Sequence, residues 1–194
     1  MKPGNAAAMA ALAVISAYGR TSAGECVTVT LHGTEQIPVV ALAVAEQTAS
    51  QTFRDIGVSL YWRIPASEPV SEACAEIGVR FTSDSQAAFH PGALAYALPY
   101  QAGGVRIGVF ANRVLRCGSD RQNGLFLGQV MSHEIGHTLE GIGRHSREGL
   151  MKAHWSSEDL GRMFAHPLRF AGEDSELIHL GFLTHADPAR QGAR

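Results

Sequence analysis

The chain has 194 residues, of which 45% are hydrophobic and 18% charged, so it can bury one compact core. Its formal net charge is −2, and no run of basic residues suggests nucleic acid as a partner. No repeats or low-complexity linkers divide it. We therefore expect one folded domain that does not bind nucleic acid.

The first residues predict a secretory signal peptide. Lys2 is followed by an apolar run from Ala6 to Tyr18 and then by small residues that suit cleavage after Ala23. The run is too short to span a bilayer comfortably. The alternative is an apolar first helix of the fold. Cleavage predicts a secreted or periplasmic protein, residues 24–194, with no stable membrane association.

The next part of the chain has mainly strand patterns. Five segments alternate or are continuously apolar, as strands are, and one longer segment has the period of a helix. Pro99, near the end of the fourth such segment, suits a strand at a sheet edge. We predict strands at 26–32, 58–64, 77–82, 93–100 and 105–110, with a helix at 37–56.

A second long helix is predicted from Asp120 to Leu139, because apolar residues recur along it with helical spacing. His133 and His137 lie away from this stripe, four residues apart, so their rings are offset by only about 40° and project together. One metal ion can therefore bind both. The alternative is a buried amphipathic helix whose histidines are hydrogen-bonded core residues. The apolar stripe consists of Leu127, Met131, Ile135 and Leu139.

Glu134 lies between the two histidines. It cannot easily bind the same ion, but it can reach a water molecule bound to that ion, which is the geometry of a general base. Gly141 can then end the helix in the left-handed conformation and turn the chain back. The turn can bring His145 to the metal as a third ligand.

Two shorter helices are predicted after the third histidine. The first spans 156–164, with Ser156 or Ser157 as its N-cap and acidic residues in its first turn. The second is short and spans 173–180. Residues 187–194 have the composition of a frayed tail.

The stretch HEIGHTLEGIGRHSREGLM resembles the zinc signature of the metzincin clan of metalloproteases. The resemblance implies that His133, His137 and His145 bind Zn²⁺ and that Glu134 polarises the attacking water. It also implies that Met151 lies in a tight Met-turn beneath the metal. The segment HSREGLM is similar to the matrixin branch, in which the third His is followed by Ser and, after a short loop, by a Leu-Met pair.

The spacing departs from the clan pattern at the third ligand. Gly141 follows His137 by four residues, and His145 follows Gly141 by four, where the clan has three in each place. A longer last helical turn and the backbone freedom of Gly143 could absorb the additional residues. The rival is a thermolysin-like site in which Glu158, on the next helix, is the third ligand.

The same resemblance implies an α/β (α+β) fold. We expect a mixed five-stranded twisted sheet with two long helices and a small, mostly helical C-terminal subdomain. The N-terminal subdomain would span about 24–141 and the C-terminal one about 142–194, with the cleft between them. In this clan the strand corresponding to 93–100 borders the cleft, where an extended peptide could pair with it. The alternative is an ordinary edge strand without a role.

Two further features follow Met151 closely. His154 and Trp155 could line the cleft, with His154 placed to hydrogen-bond the tetrahedral oxyanion. In several metzincins a Tyr just after the Met-turn has a related role. The alternative is that Trp155 belongs to the core and His154 to the surface.

Three cysteines in an exported chain suggest one disulfide and one remaining thiol. If the first and third strands are parallel neighbours, Cys26 and Cys74 lie at the same end of the sheet and can be bonded. Cys117 would then lie past the opposite end. The alternative is three reduced thiols.

Together these features predict a secreted zinc-dependent endopeptidase that acts as a monomer on a peptide or protein substrate. Zinc held by three neutral imidazoles keeps one position open, lowers the pKa of a bound water towards about 7 and polarises a carbonyl. Glu134 would take the proton from this water and pass it to the leaving amine. The alternatives are a zinc hydrolase of a non-protein amide or cell-wall peptide, or a catalytically silent zinc-binding module.

Overall fold

The structure is a computed structural model that describes residues 25–65, 67, 74–83, 92–99, 104–116 and 118–185. The predicted signal peptide, Cys117 and the predicted C-terminal tail lie outside these residues. The strands are β1 (Cys26–His32), β2 (Ser59–Arg63), β3 (Ala75–Thr82), β4 (Ala95–Ala97) and β5 (Val105–Phe110). The helices are α1 (Val39–Arg54), α2 (Ala111–Val114), α3 (Asp120–Glu140), α4 (Ser157–Met163) and α5 (Gly172–His185).

The five strands form one mixed sheet in the order β2-β1-β3-β5-β4. All neighbours are parallel except β4, which pairs antiparallel with β5 at the edge. Strand β4 is shorter than the predicted 93–100. Its middle residue, Tyr96, is paired with Gly108, and a Cβ at Gly108 would lie 2.3 Å from the Tyr96 ring. The α/β fold with a mixed five-stranded sheet is thus confirmed.

Cys26 and Cys74 are joined by a disulfide at one end of the sheet. The parallel register of β1 and β3 places Val27 beside Ala75, so the two cysteines immediately before these residues lie close together. Their Cα atoms are 4.8 Å apart, within the usual range for a disulfide.

The two long helices pack closely against each other and against the sheet. Along α1, Ala41, Ala45 and Ala49 recur every four residues and are fully buried. They face glycines of α3: a Cβ at Gly124 would lie 2.6 Å from the carbonyl oxygen of Ala41. Small side chains on both helices therefore set the close approach of the two backbones.

Helix α3 has well-defined ends. Ser119 and Gln122 form a reciprocal capping box at its start. At its end Gly141 has φ 68° and ψ 16°, the left-handed conformation that the sequence predicts, and its N–H donates to the His137 carbonyl at 3.1 Å. The predicted apolar stripe is buried, but so are all residues from Phe126 to Glu140. The helix is therefore enclosed on every side rather than presenting one polar face.

The last helix encloses α3 from the C-terminal side. It continues to His185, five residues beyond the predicted end at Leu180. Gly181 explains the tight contact, because a Cβ there would lie 1.9 Å from the carbonyl oxygen of Leu139. No helix in the described part of the chain is both long and apolar enough to cross a membrane.

Candidate metal centre

Three histidines, two on α3 and one in the loop that follows it, converge at the C-terminal end of that helix. The Nε2 atoms of His133 and His137, one helical turn apart, are 3.0 Å from each other. The ring of His145 lies 5.4 Å from the His133 ring and 4.9 Å from the His137 ring, measured between centroids. One nitrogen from each imidazole lies within 4.8 Å of the others. This grouping could hold one metal ion.

A backbone carbonyl orients the first of these rings. The Nδ1 atom of His133 lies 2.9 Å from the carbonyl oxygen of Leu150. Because a carbonyl can only accept, Nδ1 must carry the proton and donate, which leaves the Nε2 lone pair free. The same oxygen accepts a hydrogen bond from Nε1–H of Trp155 at 3.0 Å. The Trp155 ring packs edge-on against His133 and against Phe126.

The second histidine has an unusual environment. Nδ1 of His137 is buried and has no regular hydrogen-bond partner among the described residues, although the Ile142 backbone lies nearby. Burial, followed by the neighbouring histidines, lowers the pKa of His137 to about 3, and burial lowers that of His133 to about 4. Both rings are therefore neutral at ordinary pH.

Neutral imidazoles whose nitrogens crowd together in this way suit a cation bound between them. Zinc binds deprotonated imidazole nitrogens, commonly in sets of three with one position left open. The three histidines present fit such an ion. Burial also lowers the pKa of His145, and the charge of His154 lowers it further. The third ring is therefore also favoured in the neutral form that binds a metal ion.

Glu134 lies in the turn of α3 between His133 and His137 and is buried with them. Burial alone raises the pKa of its carboxyl to about 8. A cation at the histidines would oppose this shift, because a nearby positive charge stabilises the carboxylate. A carboxyl whose charge depends on a neighbouring cation suits proton transfer beside that cation.

Met151 lies against the helical turn that carries the two ligands. Its side chain is fully buried, and a Cβ at Gly136 would lie 2.9 Å from its Sδ atom. The turn before it is held by Leu150, whose N–H donates to the carbonyl of Arg169 at 2.8 Å. Gly149 has φ 73° in this turn. The segment from Gly149 to Met151 therefore forms a tight turn next to the histidines.

The rival third ligand lies elsewhere. The Glu158 side chain is 80% exposed and faces Arg162, and it is not part of the histidine group. Its neighbour Asp159 instead caps α4 with Ser156 and binds Lys152. Hydrogen bonds from Lys152 and Ser156 hold the pKa of Asp159 well below its usual range. Both carboxylates are thus explained as residues of a helix start.

Two glycines lie in the loop that leads to His145. Gly141 has the left-handed conformation that ends α3, whereas the φ of Gly143 lies outside the left-handed region. After the loop, the N–H of Ser146 donates to the Met151 carbonyl at 2.8 Å. The chain that follows His145 is therefore tied to the tight turn.

His154 and Trp155 are the two residues predicted to line the cleft after Met151, and His32 and His179 are further histidines of the chain. His154 is exposed and close enough to His145 to influence its charge, and Trp155 is half-buried. His179 is paired with Glu25, and His32 lies near two arginines. The sequence gives no indication that the Leu150 carbonyl orients His133, because a backbone carbonyl leaves no signal in a side-chain pattern.

No family model matches the chain, and no curated protein matches it in sequence. Among solved structures, its fold is similar to that of archaemetzincin from Methanopyrus kandleri, with a TM-score of 0.53. The two share 13% sequence identity, over 84% of this chain and 98% of that protein. The similarity shows that the two proteins share a fold. It gives no support to the matrixin branch, which rests only on the residues from His145 to Met151.

Proposed function

We propose that this protein is a secreted zinc-dependent endopeptidase. The observation that carries the proposal is the convergence of His133, His137 and His145 at one end of α3 with Glu134 buried in the same helical turn. Three neutral nitrogen ligands and one adjacent carboxyl are the minimum set for hydrolysis at a metal. The similarity of the fold to an archaemetzincin adds independent support.

Each residue of the site has a separate role in this proposal. Zinc, when bound, supplies a Lewis acid that polarises a carbonyl and acidifies water. The Leu150 carbonyl keeps His133 in the tautomer that leaves Nε2 free. Glu134 accepts a proton from the attacking water and delivers it to the amine of the cleaved peptide bond. Met151 supports the helical turn that carries both residues.

The proposed substrate is a polypeptide in extended conformation. Strand β4 lies at the sheet edge beside α3 and pairs with β5 on one side only, within the described residues. A peptide aligned along its outer edge would add a strand to the sheet by main-chain hydrogen bonds. His154 is exposed near His145, where it could donate to the oxyanion formed at the cleaved carbonyl.

Export is also part of the proposal. The disulfide between Cys26 and Cys74 would persist in an oxidising compartment, as expected after removal of a signal peptide at Ala23. We infer a secreted or periplasmic monomer with no stable membrane association. N-terminal sequencing of the protein recovered from culture medium or periplasm would test both the cleavage site and the compartment.

The decisive experiment combines metal analysis with hydrolysis. We expect one zinc ion per chain and cleavage of unfolded casein that chelation abolishes and added zinc restores. Glu134→Gln should keep the zinc and lose about 100- to 10,000-fold in rate, the usual contribution of a general base. If the protein binds zinc and cleaves a cell-wall peptide but not casein, the proposed substrate is a cell-wall peptide instead of a polypeptide. Zinc binding without any hydrolysis would indicate a silent binding module.

A further inference from the structure

The third histidine is supported differently from the other two. His133 and His137 project from a buried helix, whereas His145 is exposed and lies in a segment without regular secondary structure. Such a segment has many accessible conformations, and metal binding must select one of them. Some other contact has to hold His145 near the helix.

One buried carboxylate contacts both residues that flank His145. Oδ1 of Asp174 accepts a hydrogen bond from Nη2 of Arg144 at 2.8 Å, and it also accepts one from the Ser146 hydroxyl. The second oxygen of Asp174 accepts the N–H of Ala171 at 3.1 Å, at the start of α5. A helix cap alone would need only this last bond. The other two donors come from the loop.

The burial of Asp174 shows that these contacts are needed. Its side chain is fully buried, and a buried carboxylate is tolerated only where donors replace the lost water. Arg144 supplies the compensating charge. Its guanidinium also faces Glu140, in the last turn of α3, at 3.9 Å, and Glu173 at 3.7 Å. The end of α3, the loop and the start of α5 are therefore joined through one ionic cluster.

We propose that Asp174 is a positioning residue for the metal centre, which fixes His145 by binding Arg144 and Ser146 on either side of it. The proposal rests on the proposed function only in requiring that the three histidines bind zinc. Residues that orient metal ligands typically change metal affinity by about 10- to 100-fold when they are removed. Asp174 would act in this range although it touches neither metal nor substrate.

The test measures zinc affinity by competition with a chromophoric chelator, and the visible spectrum of the cobalt-loaded protein. Asp174→Ala should weaken zinc binding by about 10- to 100-fold and alter the cobalt spectrum. Asp174→Asn, which keeps an acceptor but loses the charge, should have a smaller effect. Ile178→Ala is the control, because Ile178 is fully buried on the same helix and has no part in the cluster. It should lower the melting temperature without changing zinc affinity.

A double-mutant cycle separates positioning from general destabilisation. If Asp174 acts through His145, Asp174→Asn should not weaken zinc binding further once His145 is replaced by Ala. Ser146→Ala offers the same cycle with a smaller structural change should the Asp174 variants fold poorly. Equal losses of affinity with and without His145, or an affinity loss in Ile178→Ala matching that of Asp174→Ala, would overturn the positioning role. A wild-type chain that binds neither zinc nor cobalt would overturn the metal centre itself, and the positioning role with it.

Discussion

The three histidines of the metal centre are held in place in two different ways. The positions of the helical pair, His133 and His137, are fixed by α3, which is enclosed by α1, the sheet and α5. The loop ligand, His145, has no such enclosure and is held next to a cluster of charges around Asp174. Packing of α3 thus fixes the backbone of two ligands through the fold, with the Leu150 carbonyl orienting the His133 ring, whereas the third ligand depends on polar contacts of its own loop.

This difference has a physical basis. A helix in a close-packed core cannot shift by even a fraction of an ångström without losing contacts along its length. A loop can be held by a few directional bonds, which are easier to form and to break. We therefore expect the helical pair to fail only when the fold fails, and the loop ligand to respond to smaller changes.

The largest effect should come from the ligands themselves. Replacing His137 or His145 by Ala should each weaken zinc binding by more than about 100-fold, the upper end of what indirect contacts contribute. Glu158→Ala should leave the affinity unchanged, because its side chain is exposed and outside the group. Competition titration with a zinc chelator measures all three. A larger loss in Glu158→Ala than in His145→Ala would show that Glu158, not His145, is the third ligand.

The next prediction tests this difference by adding a methyl group at glycines where two helices are in close contact. Gly181→Ala would force a Cβ onto the Leu139 carbonyl and move α5, so it should cost about 1–3 kcal/mol of stability and also weaken zinc binding. Gly128→Ala presses on Thr48 of α1 instead, and should lower stability with little change in affinity. Gly161→Ala, which meets open space, is the matched control. Denaturant unfolding measures the stability of the three variants, and zinc titration measures their affinity. If zinc affinity fell in proportion to stability in all of them, the helical pair and the loop ligand would not differ in how they are held.

Much of the framework is predictable from the sequence because it depends on local periodicity. Alternation locates five strands, and the i, i+4 spacing alone is enough to place His133 and His137 on one helical turn. The end of α5 is not predictable in this way. Gly181 has low helix propensity and favours an end near Leu180, but the helix continues to His185 with Gly181 packed against the Leu139 carbonyl, where a Cβ would not fit.

The site is harder to predict from the sequence than the helix that carries two of its ligands. Whether His145 or Glu158 completes the histidine pair depends on the path of an irregular loop, which no periodic signal describes. Asp174 carries no motif at all. An Asp in the first turn of a helix is fully explained by its interaction with the helix N-terminus, so its bonds to the loop become visible only in three dimensions.

A third prediction concerns pH and the metal-free protein. Burial raises the pKa of Glu134 to about 8, so the folded chain keeps a proton that the unfolded chain has released. Stability is therefore lost as the pH rises from the ordinary pKa of a Glu, 4.5, to this value. In the presence of a chelator, the melting temperature should fall between about pH 4.5 and 8 and level off above, and it should fall less in Glu134→Gln. Some slope should remain, because burial and the charge of Asp174 raise the pKa of Glu140 to about 7. An identical slope in both proteins would mean that Glu134 is already ionised in the fold.

The smallest expected effect tests whether the helical pair depends on a polar contact as well. Trp155→Phe removes the N–H that donates to the Leu150 carbonyl but keeps an aromatic ring against Phe126. The loss should be about 1 kcal/mol of stability, the net worth of one hydrogen bond, with zinc affinity nearly unchanged. Trp62→Phe is the control, since its N–H donates to the Ser50 hydroxyl at 2.8 Å, between β2 and α1. His133 keeps its own bond to Leu150 in both variants. If Trp155→Phe weakened zinc binding tenfold while Trp62→Phe did not, the Leu150 carbonyl would need the indole to hold it in place. The helical ligands would then depend on directional bonds as much as the loop ligand does.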